Sequence, residues 1–186
     1  MVSPIDAERI HETSLRLLAD PGVRLEHDGI LELLVKAGGE PGLDAQTVRF
    51  PEALVRDALD RAPSDVFLAD RRDGGHTVAP EGTPPRVWST PGMNLHRRGE
   101  VRRFTQDDMA DYARLLDRLP SVDGVFGMSL ADVPPGAADV IGLATMAANT
   151  TKHIRVLCAS PESADIMCRM RSVLGDMPWF SVGFTA

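Results

Sequence analysis

Three side chains have the types that attract a cation. Trp88 and Trp179 each present an aromatic face, worth roughly 0.5–2 kcal/mol to an ammonium group by cation–π attraction. Asp132 offers a carboxylate immediately after a strand-like segment and before Val133-Pro134-Pro135, which restrict its backbone. Each has a plainer reading beside it: core packing for the two rings, a helix cap or turn for the aspartate. Tyr112 lies on a helical face and reads as packing. His153, Cys158 and Cys168 suggest a metal site, but no close cysteine pair exists and Cys168 falls in mid-helix, so they read as buried structural groups. His11 and His27 lie on or beside helices and read as surface or capping residues. No Ser-His-Asp order, P-loop or GxGxxG element is present, and Asp73-Gly74-Gly75 lacks the strand-glycine-helix context of a phosphate loop.

Composition narrows the classes. A net charge of −7 argues against a nucleic-acid surface, and the basic clusters His96-Arg97-Arg98 and Arg102-Arg103 are too short to reverse that. Two cysteines make no disulfide framework, and neither a signal peptide nor a membrane-length apolar stretch is found, so a cytoplasmic, non-membrane protein is expected.

The elements that must position these residues follow from periodicity. Residues 122–129 (VDGVFGMS), 153–159 (HIRVLCA) and 179–185 (WFSVGFT) are short, mostly apolar runs with strand character. Helical stretches separate them, over residues 137–149 and from Ser160-Pro161 to Gly175, with Ser160 as N-cap. Strand, helix, strand, helix, strand predicts parallel strands joined by crossovers. The third run has no helix after it. A full (β/α)8 barrel takes about 250 residues, so the expectation is an α/β fold that is the front part of such a barrel, its sheet open.

Ahead of that repeat, Ser3-Pro4 opens one helix, Asp28 is the expected cap of a second, and Pro51 starts a third, with an extended link at residues 46–50. These form a helical extension over residues 1–62, with the barrel part over 63–186. Residues 65–69 read as a strand; Thr77-Val78 and residues 86–89 are expected to pair antiparallel; Arg98-Gly99 reads as a turn into a strand; and Thr105 to Asp108 is a capping box.

In this order, the motifs resemble the trimethylamine methyltransferase family, the corrinoid-dependent methylamine and betaine demethylases. The resemblance is carried by residues 10–18 (IHETSLRLL) with Gly22-Val23, residues 31–39, Val48 to Pro51 with Leu54-Val55 and Ala58-Leu59, Ala62-Pro63, residues 68–71, residues 99–108 and Asp132-Val133-Pro134. It runs over nearly the whole chain. It implies a barrel with an N-terminal helical extension, a tertiary or quaternary amine as substrate, and Co(I) of a corrinoid (cobalamin) on a separate partner protein as methyl acceptor. It implies no cofactor or metal bound by this chain itself, and a homo-oligomer in the full-length form. A barrel places its site at the carboxyl ends of the strands, here residues 129–132, 159–160 and 185–186, with Asp132, Trp88 and Trp179 as substrate-binding candidates. The competing expectation is a non-catalytic remnant or interaction module that needs another chain to cover its open sheet.

Overall fold

The computed structural model describes residues 3–72, 74–78, 85–175 and 177–183. The chain divides into two compact units, Met1–Pro63 and Ser64–Ala186.

In the first unit, α1 spans Pro4–Ala19. Ser3 caps it by accepting from the Asp6 N–H, and proline stands in the first turn, where its missing donor costs nothing. Strand β1 (Val23–Arg24), helix α2 (Asp28–Lys36), strands β2 (Glu40–Pro41) and β3 (Thr47–Arg49) and helix α3 (Glu52–Arg61) follow. Strand β3 lies between β1 and β2, antiparallel to both. Gly22, at φ +89°, turns the chain from α1 into β1. A β-carbon there would lie 2.5 Å from the Val48 carbonyl oxygen, so glycine is required on both counts. The cap of α2 is His27, not Asp28: the imidazole Nδ1 accepts from the Ile30 N–H at 3.3 Å, while Asp28 is already the first helical residue.

The second unit opens with a hairpin of β4 (Val66–Leu68) and β5 (His76–Val78), paired antiparallel. Thr77-Val78 thus pairs with the preceding strand and not with residues 86–89. That second segment goes elsewhere, through a parallel bridge between Trp88 and Gly124. The turn-rich residues 79–84 between them lie outside the described residues. Strands β6 (Asn94–Arg97) and β7 (Glu100–Arg103) form a tight hairpin around Arg98 and Gly99, both at positive φ, as a two-residue turn of the primed type requires. Helix α4 (Gln106–Arg118) begins at the expected capping box of Thr105 and Asp108.

The repeat then appears: β8 (Gly124–Phe126), a 3₁₀ turn at Pro135–Ala137, α5 (Ala138–Asn149), β9 (His153–Leu157), α6 (Pro161–Leu174, capped by Ser160) and β10 (Phe180–Gly183). The three strands form a parallel sheet in the order β8, β9, β10. Register sorts the side chains by face. Val125, Ile154 and Phe180 align on one face and join Val156 in a core with Met109, Leu143, Met146 and Met167 from the three helices. Phe126, Arg155 and Ser181 align on the other. The architecture is mixed α/β. Among the described residues the sheet is open and forms no closed barrel, and no helix is long and apolar enough to cross a membrane.

Candidate functional site

A cleft of about 380 Å³ opens where β8 and β9 end. Its walls are the Pro91-Gly92-Met93 segment, the β8 exit at residues 127–130, the start of α5 at Ala138-Asp139, and Leu157 and Ala159 at the exit of β9. Met93, Met128 and Met146 make the lining soft and apolar. Glycine sets its shape: a β-carbon on Gly92 or Gly127 would lie 2.9 Å from a methionine methyl, Met128 and Met146 respectively.

Asp139 is the one carboxylate in this lining. Its Oδ2 accepts from the Ala159 N–H at 2.9 Å, and its Oδ1 accepts from Ser163 Oγ at 3.1 Å and from the Val140 N–H at 2.8 Å. The side chain therefore clamps the β9–α6 turn to the first turn of α5, where the helix dipole also favours a negative charge. It fixes the cleft's geometry more than it offers a free acceptor.

The sequence-selected residues are placed elsewhere. Asp132 is exposed, and its Oδ1 accepts from the Gln106 N–H at 2.9 Å, adding a second cap to the start of α4. Trp179 is fully buried at the amino end of β10, its indole N–H directed at the Arg171 carbonyl at 3.4 Å. A cation does lie over its ring, but that cation is the chain's own Arg71, 5.1 Å from the centroid. Trp88 packs at the amino end of β8, edge-on to His153 with centroids 5.3 Å apart and against Gly124, where a β-carbon would meet the indole at 2.7 Å. None of the three lines the cleft, and the structure does not bring them together. Of the expected strand-end positions, Ser129, Leu130 and Ala159 do line it, whereas residues 185–186 lie outside the described residues.

The metal-type residues are similarly dispersed. His153 Nδ1 lies 2.8 Å from the Ala69 carbonyl and so carries the proton, leaving Nε2 to face Ser181 Oγ at 3.1 Å. Cys158 is buried, as expected, and directs its thiol at the Ser160 carbonyl, whereas Cys168 is not buried as expected but exposed on α6. Among the described residues no cluster of three His, Cys, Asp or Glu side chains could hold a metal.

Two features escaped the sequence reading. Asp139 carried a usable signal, an acid in the first turn of a helix entered through Pro134-Pro135-Gly136. Arg155 carried a stronger one, a charged residue inside a parallel strand that otherwise reads apolar. Its guanidinium lies over the Phe126 ring, 5.2 Å from the centroid, and its Nε and Nη2 would be 3.3 Å from a β-carbon on Gly183. Phe126 and Gly183 are the last residues of β8 and β10, so the cation sits at the carboxyl end of the sheet, on the face away from the helices.

A parallel β-α-β-α-β unit with its cleft at the carboxyl ends of the strands has the site placement of α/β enzymes. The model of the trimethylamine methyltransferase (MTTB) family matches residues 1–178, and the chain belongs to that family. It is 27% identical over 148 residues to trimethylamine methyltransferase MttB of Desulfitobacterium hafniense, covering 78% of this chain and 30% of that protein. To MttB1 of Methanosarcina mazei it is 30% identical over 156 residues, 80% of this chain and 31% of the relative. To the proline betaine:corrinoid methyltransferase of Eubacterium limosum it is 30% identical over 126 residues, 67% of this chain and 25% of the relative. The chain thus spans about 30% of the length of the first of these relatives.

Proposed function

We propose that this chain is the front part of a methyltransferase that demethylates a tertiary or quaternary amine, trimethylamine or a betaine, and delivers the methyl group to the Co(I) corrinoid of a partner protein. The observation that carries this reading is the family match over residues 1–178. The apolar cleft at the strand ends agrees with it. In the reaction a C–N bond breaks, the nitrogen keeps the bonding pair, and the methyl group passes to the reduced cobalt. A quaternary nitrogen needs no proton from the protein for this, and a tertiary amine reacts as its protonated ammonium, whose proton stays on the secondary amine that leaves. What the protein must supply is a soft-walled cavity with access for the acceptor, and the apolar, methionine-lined cleft supports this reading by its soft walls. The corrinoid belongs to the partner, and no residue of this chain is assigned to ligate it.

In this reading the parallel sheet is the beginning of a (β/α)8 barrel, the first unit is its helical extension, and the full-length form is a cytoplasmic homo-oligomer. One observation favours the second reading, a non-catalytic module that needs another chain: among the described residues β10 is hydrogen-bonded on its β9 side alone, with Val182 44% exposed.

The test is methyl transfer from trimethylamine and a panel of betaines to reduced cobalamin, followed by the change in its visible spectrum, using the longest form the gene encodes. Amine-dependent methylation is expected. No turnover across the panel counts against the enzyme and for the module.

A further inference from the structure

Arg155 is the arginine carried within the parallel strands of the second unit. It projects from the middle of β9 with its guanidinium held between the ring of Phe126 and the bare backbone of Gly183, and among the described residues no carboxylate pairs with it. Stacking on an aromatic face fixes the plane of a guanidinium while leaving its N–H edge free for a two-pronged contact. That fork matches a carboxylate, and a carboxylate taken out of water must find such a partner. The guanidinium lies at the carboxyl end of the sheet, where substrates of such folds bind. A β-carbon at position 183 would lie 3.3 Å from the guanidinium, so glycine there leaves the slot room without crowding it.

We propose that Arg155 is a specificity-determining residue that binds a substrate carboxylate, so that the amine accepted here is a betaine, with a methylated ammonium and a carboxylate in one molecule, and not a bare methylamine. This rests on the amine-demethylase reading and adds to it the group that selects among amines. A free methylamine is a cation and gains nothing from a neighbouring guanidinium. A zwitterion gains a charge-assisted contact at its acidic end that a bare methylamine lacks.

Calorimetric titration of the longest encoded form with glycine betaine, proline betaine, choline and trimethylamine tests this. Choline keeps the trimethylammonium head but has no carboxylate. The betaines are expected to bind more tightly than choline and trimethylamine. Arg155→Ala is expected to weaken betaine binding by roughly 10- to 100-fold, the range for a lost hydrogen bond to a charged group, while leaving choline unchanged. Arg155→Lys keeps the charge without the fork and is expected to fall between. Because Arg155 is exposed, neither change opens the core, and an unaltered circular dichroism spectrum checks that. Betaine affinity unaffected by Arg155→Ala, or choline bound as tightly as glycine betaine, overturns the proposal and leaves the amine reading standing. Binding of none of the four overturns both.

Discussion

Asp108 shows how much one carboxylate can organise. Its Oδ2 accepts from both the backbone N–H and the hydroxyl of Thr105, while Arg102 grips both oxygens with a two-pronged contact. The Arg102 guanidinium, then the Thr105 donors, hold its carboxyl well below the usual aspartate range, against the opposing effect of burial. A depressed folded-state value means the stabilisation is complete above the pH where an unfolded aspartate ionises, about 4, and is lost as pH falls through the folded value. Asp108→Asn should therefore cost about 1 kcal/mol at neutral pH, the size of a lost cap, and the variant's urea midpoint should change less than the wild type's between pH 4 and pH 2. Lys152 works differently. Its ammonium is buried and donates to the carbonyls of Leu116, Leu119 and Val122, saturating the carboxyl end of α4 and the chain leading to β8. Lys152→Met leaves those acceptors unpaired and should lower stability by roughly 3 kcal/mol in chemical denaturation.

At the scale of elements, the parallel repeat was legible because its signals are local. Ser160 before Pro161, the Thr105–Asp108 box and the glycine after α6 are short-range devices, and each caps or ends its helix as expected. Pairing partners were less legible. Residues 86–89 and Thr77-Val78 are both extended, and nothing local decides that one bridges to Gly124 while the other returns to β4. The candidate site suffered from the same limit. Asp132, Trp88 and Trp179 were chosen for their chemistry, but a bulky ring at the start of a strand and an acid beside a helix start are also what packing and capping require. The cleft is built instead from methionines and glycines, which carry no chemical flag in a sequence. Gly124 tests the packing directly. Gly124→Ala drives a methyl group into the Trp88 indole, so it should destabilise by about 1–3 kcal/mol and alter the near-ultraviolet dichroism of that ring.

For the whole molecule, the two units differ sharply in what they bury. Leu15 and Val48 are the buried large apolar side chains of the first unit, among the described residues, against more than a dozen core residues in the second. Both tryptophans belong to the second unit. Helix content monitored by far-ultraviolet dichroism should therefore begin to fall at lower urea than tryptophan fluorescence changes, because the thin-cored unit melts first. Coincident transitions would show instead that the two units unfold as one.

Polar cross-links in the second unit gather at the amino ends of its parallel strands. There Asp117 accepts from Thr150, Thr151 and Arg72, Arg71 reaches the carbonyls of Ala147 and Thr150, and His153 is tied to Ala69. The opposite end carries glycines and methionines around the single clamp of Asp139. Deuterium should accordingly enter the backbone around residues 127–130 long before it reaches Thr151 and Ile154. One end of the sheet is then an anchor and the other a mouth, its rim held by Asp139 and its walls left to soft side chains.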